Sequence, residues 1–282
     1  MKTISAAMVL YDEELMVDLS IKSAKDIVDE FVFVDNGCSD RTMEIVGECI
    51  NAWGLKARTF KFEGTLKDAR TFSCEKCETD WIFIHDGDHV LQTEGPYAMR
   101  KVRKLVGSEK IMTYKFPLIR LFYDYEHTSA KLPFQPPHKT LYCNNPQVWA
   151  PAAGTRNLPT SLARENALRT WWGVWNICIK RPERIYERQF WPQWRHAGRV
   201  KPRREWIAEH RGFELRDFNQ VAEKWLLRKV FETDDCPNPE VWRFWDYPAV
   251  IREEIDRGVI RNCLDTVDSI REKRVKAGLE PI

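Results

Sequence analysis

The sequence predicts an α/β fold: an open, mostly parallel sheet flanked by helices, followed by a tryptophan-rich, largely helical C-terminal region. Three observations carry that expectation. Over the first 120 residues short apolar runs alternate with segments of helical period. The runs are apolar throughout, as in strands covered on both faces, and do not alternate with polar residues. After about residue 123 this rhythm stops, and ten of the twelve tryptophans fall beyond position 148. The 282 residues suit two units at about 150 residues per domain, and the expected division is 1–142 and 143–282.

The elements follow in order. Residues 3–10, TISAAMVL, read as a buried strand, and 14–27 place Leu15, Leu19, Ala24 and Ile27 at helical spacing. EFVFVD, 30–35, is a second strand ended by the turn signal NGCSD. Met43, Val46 and Ile50 mark the next helix, which Ser39 or Asp40 can cap by accepting from a first-turn amide. KARTFKF, 56–62, is a third strand, 66–78 a helix, and DWIFIH, 80–85, a fourth strand. A basic helix over 95–107 precedes a strand over 111–122 that Pro117 interrupts. Six prolines between 133 and 159 predict long loops around one short strand at 140–142. Helical pieces are expected at 161–180, 182–190, 202–211, 217–232 and 249–276. The last is amphipathic, and packing back on the body is favoured over a second subunit.

Composition removes several classes. With 43% hydrophobic and 12% aromatic residues the chain is not expected to be disordered, and a net charge of +2 disfavours a nucleic-acid binder. No window approaches eighteen apolar residues, so no membrane span is expected. MKTISAAMVLYDEEL reads as a first strand and not as a signal peptide. The eight cysteines are scattered, which suits a reducing cytoplasm. Cys74 and Cys77 read as buried, inert thiols in preference to half a zinc site. Residues 1–120 carry 17 basic and 20 acidic side chains, against 27 and 22 in the remainder. The second half therefore tilts mildly toward an anionic or membrane-surface partner.

Open α/β sheets bind ligands beyond the carboxyl ends of their strands. Three acidic features fall there: Asp12 with Glu13, Asp35 with Asp40, and Asp86 with Asp88. The third is the sharpest. Two carboxylates separated by one glycine after a buried strand repel each other unless a cation neutralises them, and oxygen ligation suits Mg²⁺ or Mn²⁺. An ordinary acidic turn competes with that reading. His85 and His89 flank the pair, either supporting it or lying on the surface. Asp35 could take a sugar or base donor, or simply form the turn. Arg70 offers a fixed guanidinium fork for phosphate, although a solvent-facing arginine is the favoured reading from the residues alone.

Taken together, MVLYDEE, DEFVFVDNGCSDRT, LKDARTFS and DWIFIHDGDHVL, in that order, closely resemble the boxes of the family 2 glycosyltransferases. Their nucleotide-sugar-binding domain has the GT-A fold. The resemblance is good over 3–91, weak over 92–142 and slight beyond. It implies a donor domain at 1–142 and a helical acceptor-side or packing extension at 143–282. Tyr11, Asp12 and Glu13 would border the base pocket, Asp35 would bind the uracil or ribose side, and Asp40 would fix the turn. Arg70 would reach the diphosphate, Asp86 and Asp88 would hold the metal, and His138 is the candidate later histidine of the metal or acceptor site. Asp12, Asn36, Cys38 and Thr71 depart from the family's usual residues, and His85 stands where an apolar residue is usual.

The implied activity is metal-dependent, inverting transfer of a sugar from a nucleoside-diphosphate sugar to a hydroxyl acceptor, with Mn²⁺ or Mg²⁺ as cofactor. For the base, Asp124 is favoured among Asp124, Glu126, Glu205, Glu209, Glu214 and Asp217, because it closely follows the RLF strand end among aromatics. The tryptophans have three competing readings: the core of a helical subdomain, a sugar-stacking cleft, or an interfacial patch for a lipid-linked acceptor beside Arg188, Arg195, Arg199, Arg203 and Arg204. Trp171 and Trp175 are expected to share a helical face. The carbohydrate or lipid-linked acceptor, peripheral membrane contact through the C-terminal half and a homo-oligomer stay open. The competing functions are a nucleotidyltransferase, which should show a glycine-rich basic loop after strand one, and a catalytically silent binding module.

Overall fold

A computed structural model describes residues 2–95, 98–107, 111–122, 128–129, 134–149, 167–169, 174–178, 187, 203–211, 233–234 and 247–259. β1 (Ile4–Leu10), α1 (Val17–Ala24), β2 (Glu30–Asp35), α2 (Thr42–Trp53), β3 (Ala57–Lys61), α3 (Leu66–Glu75) and β4 (Trp81–Ile84) alternate in the expected order. β1 lies between β2 and β4, parallel to both, and β2 pairs in parallel with β3. The period of two along β1 divides the core. Ile4, Ala6, Met8 and Leu10 join Val17, Ile21 and Ala24 of α1 and Val46 and Cys49 of α2. Ala7 joins Ala69 and Cys74 of α3 on the other face. This double covering is why β1 and β2 are apolar end to end.

Local chemistry starts the helices. Asp40 Oδ1 accepts from the Thr42 amide at 2.9 Å, satisfying a donor at the head of α2 that has no partner inside the helix. Thr65 does the same for α3, where its hydroxyl oxygen accepts from the Asp68 amide.

The remaining described elements are β5 (His89–Leu91), a 3₁₀ turn at Met99–Lys101, α4 (Val102–Leu105), β6 (Thr113–Phe122), β7 (Thr128–Ser129), β8 (Phe134–Cys143), α5 (Pro146–Trp149), β9 (Ala167–Arg169), β10 (Val174–Cys178), α6 (Arg203–Arg211), β11 (Thr233–Asp234) and α7 (Ala249–Asp256). The main sheet runs β11-β7-β6-β8-β4-β1-β2-β3. It is mixed and not mostly parallel: β4–β8, β6–β8, β6–β7, β5–β10 and β7–β11 are antiparallel.

Several expectations need correction. The loops expected over 133–159 hold the ten-residue strand β8, whereas Pro117 does interrupt the ladder of β6, as expected, without ending the strand. The reason lies in the ladder. Phe116 is opposite Lys139 while Leu118 is opposite Gln135, so the register shifts where Pro117 meets the Pro136–Pro137 stretch. The missing amides of all three prolines coincide with an irregular part of the ladder, where donors are not required. The helix expected over 95–107 is confined to the turn at 99–101 and to 102–105.

The helical reading of 161–180 is overturned as well. Residues 167–169 and 174–178 are strands; β10 runs parallel to β6 and antiparallel to β5. VWNIC is short, apolar and β-branched, and adding to an existing sheet outweighs any local helical tendency. Trp175 therefore lies on a strand and on no helical face. α7 stops at Asp256, where Gly258 takes a left-handed φ of 68°. Its Ile251 is buried, and a Lys22–Glu253 ion pair fastens it to α1. This described part thus packs back on the body, and residues 260–276 of the expected helix lie outside the described residues.

Among the described tryptophans, Trp81, Trp149 and Trp175 belong to the core. Trp171, Trp172, Trp191, Trp194, Trp242 and Trp245 lie outside the described residues, as does the 217–232 segment. No helix among the described residues is long and apolar enough to cross a membrane.

Candidate active site

Parallel pairing assembles the site. Leu10 stands opposite Asp35 and Ala7 opposite Ile84, so β1, β2 and β4 end along one edge of the sheet. The three acidic features are delivered there together, as the position of ligand sites in open α/β sheets requires.

Two of the features hold the first loops. Asp12 takes φ 51°, a left-handed conformation rare outside glycine, asparagine and aspartate. From it Oδ1 accepts from the amides of Ser39 at 2.6 Å and Asp40 at 3.3 Å. Asp40 Oδ2 returns the tie by accepting from the Glu14 amide at 3.1 Å. The Asp35 Oδ1 atom closes its own turn by accepting from the Gly37 amide at 3.0 Å and the Cys38 amide at 2.8 Å. Burial, aided by the nearby Asp35 and Asp12 carboxylates, pushes the Cys38 thiol far above its ordinary range. Tyr11 stands beside this turn, with a ring carbon 3.8 Å from where a side chain on Gly37 would begin.

The loop after β4 is the centre of the site. Ligand atoms of Asp86, Asp88 and His89 all lie within 4.8 Å of one another. His89 Nε2 is 3.6 Å from Asp88 Oδ1 and 3.8 Å from Asp86 Oδ2. Gly87 between the carboxylates is required by contact. A Cβ there would sit 2.9 Å from Leu10 Cδ2 and 3.0 Å from Glu13 Cβ. Glu13 and Leu10 thus press directly on the loop that joins the two acids.

Polar groups from elsewhere fix that loop. On the inner face of α1, Ser20 donates to the Asp86 carbonyl oxygen at 3.1 Å and Ser23 accepts from the Leu91 amide at 3.0 Å. The Ser20 hydroxyl also lies 2.8 Å from His85 Nε2, and both bonds are satisfied when His85 carries its proton there. From β10 the Ile177 amide donates to the Asp88 carbonyl oxygen at 2.9 Å, and Asn176 stands opposite His89. Trp175 donates from Nε1 to Gln92 Oε1 at 3.2 Å, just beyond β5.

Arg70 is not a solvent-facing residue. It reaches from α3 to Asp86, with Nη2 2.9 Å from Oδ1 and 3.1 Å from Oδ2. His85 and His89 are both buried, so neither is a surface histidine. The structure therefore brings Tyr11, Glu13, Asp35, Arg70, Asp86 and Asp88 to one edge. His138 lies on β8, its side chain outside the described residues, and Asp124 lies outside them altogether. The donor set of two carboxylates and an imidazole suits Mn²⁺ well and Mg²⁺ adequately. Of the two flanking histidines, His89 is the one within reach of both acids. Ser20, Ser23 and Asn176 were missed; polar residues on otherwise apolar inner faces were their only signal. Cys74 and Cys77 are buried, and burial pushes the Cys74 thiol up to about 12, as inert thiols require.

Residues 5–99 match the family described as Glycosyl transferase family 2. An uncharacterized glycosyltransferase of Rickettsia bellii (strain RML369-C) is 26% identical over 118 residues, 42% of this chain and 38% of that protein. One of Rickettsia typhi (strain ATCC VR-144 / Wilmington) is 26% identical over 160 residues, 57% of this chain and 52% of that protein. The chain thus spans about half, or less, of these curated relatives. Among solved structures, a mannosyltransferase from Pyrobaculum calidifontis in complex with GDP-Man and Mn2+ is similar at a TM-score of 0.35 and 14% identity, over 40% of this chain and 35% of that one.

Proposed function

We propose, from the match of residues 5–99 to glycosyl transferase family 2, that this protein is a metal-dependent, inverting glycosyltransferase using a nucleoside-diphosphate sugar and a hydroxyl acceptor. The observation that carries the reading is the Asp86, Asp88 and His89 cluster beside Arg70, at the carboxyl edge of β4. These residues would hold Mn²⁺ or Mg²⁺. When bound, such a cation neutralises the negative charge that develops on a departing diphosphate.

The chain's own groups account for the rest. Tyr11 and the turn held by Asp35 form the wall against which a base and ribose are placed. Asp35 directs one oxygen into its own turn, and the reading assigns the other to a base or ribose donor. Arg70 supplies permanent positive charge for phosphate, since a guanidinium is not deprotonated in proteins. Asp124 is the proposed base for the acceptor hydroxyl, and His138 is retained as a proposed later ligand. Residues 1–142 are the proposed donor part and 143–282 the acceptor part, with β10 crossing that division to brace the acidic loop. A carbohydrate or lipid-linked acceptor and a cytoplasmic location with peripheral contact at the membrane face complete the reading; Cys38, Cys49, Cys74, Cys77 and Cys143 are free thiols.

Binding of nucleoside diphosphates and nucleotide sugars, with and without Mn²⁺, tests it. Metal-enhanced binding that disappears in Asp86→Ala and Asp88→Ala supports the reading. Diphosphate binding indifferent to metal and to both substitutions overturns it. Release of pyrophosphate from nucleoside triphosphate and sugar phosphate would establish a nucleotidyltransferase instead.

A further inference from the structure

Arg70 and Asp86 already neutralise one another. A single nitrogen, Nη2, lies within 3.1 Å of both Asp86 oxygens. The guanidinium is largely withdrawn from water, with 14% of its side chain exposed against 23% for Asp86. Its Nε is buried and makes no hydrogen bond to the protein. A buried donor left in this state is costly, and an incoming acceptor oxygen relieves the cost.

We propose that Arg70 acts as a counter-ion that is exchanged: it holds Asp86 until a phosphate oxygen accepts its guanidinium, so that divalent cation and diphosphate bind as a pair. The inference rests on the metal and diphosphate reading above and adds a regulation of that site. A cation arriving alone must take Asp86 from Arg70 and strand a buried positive charge beside itself. Loss of a proton cannot ease this, because arginine stays charged. A diphosphate arriving with the cation gives the guanidinium two or more oxygens in a planar, forked geometry and leaves Asp86 to the metal. Each ligand then raises the affinity of the other by the same factor, as linkage demands. A purely structural arginine predicts the opposite, because removing it would loosen Asp86 and weaken the metal.

Mn²⁺ binding to the full chain, read by electron paramagnetic resonance of the free ion, separates these cases. In Arg70→Met, Mn²⁺ without nucleotide is expected to bind about 5- to 10-fold more tightly than in the wild type, and the further gain on adding a nucleoside diphosphate should shrink. Arg70→Lys should lie between. Unchanged or weaker Mn²⁺ binding in Arg70→Met, with circular dichroism showing an intact fold, overturns the proposal while leaving the metal site standing. If that variant does not fold, the wild type labelled with ¹⁵N-arginine decides. The Arg70 Nε resonance should move little with Mg²⁺ alone and strongly with Mg²⁺ plus nucleoside diphosphate. A full shift with Mg²⁺ alone overturns the exchange. Absence of any Mn²⁺ bound by wild type, with or without nucleotide, overturns both the exchange and the functional reading.

Discussion

Ile177 donates its amide to the Asp88 carbonyl oxygen across 2.9 Å, so a strand from the second half of the chain fixes the backbone of the acidic loop. Its neighbour Trp175 is wholly buried, bonded to Gln92 and tilted against Tyr247 at 5.8 Å between ring centres. The acidic loop is therefore built by sequence positions some ninety residues apart.

Trp175 anchors this brace. Trp175→Ala should cost about 3–5 kcal/mol through the cavity it leaves. Trp175→Phe should cost about 1–3 kcal/mol, mostly from the Gln92 oxygen left without its donor. Urea unfolding measures both. Mn²⁺ affinity should fall in parallel, and affinity unchanged in a destabilised but folded variant would disconnect β10 from the site.

Gly87→Ala should damage the site more than any other one-carbon change in it. The added methyl meets Leu10 and Glu13 at 2.9 and 3.0 Å, and overpacking of this kind costs about 1–3 kcal/mol. The two carboxylates should be pushed out of register, so Mn²⁺ binding is expected to drop by more than the stability loss explains. Calorimetric titration of the folded variant gives the answer, and wild-type affinity would refute the role assigned to the glycine.

Asp12 combines a left-handed backbone with four hydrogen bonds to Ser39 and Asp40. Asp12→Asn keeps an acceptor oxygen and tolerates the conformation, so its cost should stay below about 1 kcal/mol. Asp12→Ala loses both and should cost about 1–3 kcal/mol. Equal melting temperatures for the two variants would show that the turn does not depend on this side chain.

Asp80 carries a pH dependence. The Thr3 amide and then the Lys2 ammonium hold its carboxyl down, from an ordinary 3.8 to about 2. A carboxylate depressed in the folded state stabilises fully above its unfolded value and loses that contribution as pH falls through the folded one. The stability difference between wild type and Asp80→Asn should thus be largest above about pH 4 and vanish toward pH 2. Asp80 is more than a third exposed, so the difference should be modest. A difference constant from pH 6 to pH 2, followed by urea midpoints, would contradict the assignment.

The CxxC thiols should resist labelling. Burial pushes Cys74 up to about 12 and Cys77 higher still, which leaves almost no thiolate at pH 8. Iodoacetamide treatment followed by peptide mass spectrometry should find both unmodified until the chain is denatured. Rapid native labelling at either position would show that α3 opens readily.

Much of the first part of the chain was legible in the sequence because its determinants are local. Apolar runs of five to seven residues announce β1 and β2 wherever they are placed, Asp40 accepts from the first amide of α2, and Thr65 caps α3. Asp86, Gly87 and Asp88 declare themselves by adjacency. What the sequence determined by itself was this alternation of strand and helix, and with it the edge on which acids at three strand ends would meet. Only the tertiary structure decided the rest. It turned VWNIC into a sheet strand, let β8 run through two prolines opposite Pro117, took Arg70 out of solvent to Asp86, and chose His89 as the histidine beside both acids. The physical reason is common to the first three, while His89, next to Asp88 in the chain, is set in place by the pairing of β5 with β10. Each of those three depends on a partner distant along the chain, and a hydrogen bond or ion pair has no signature in the spacing of either residue until the fold brings both together.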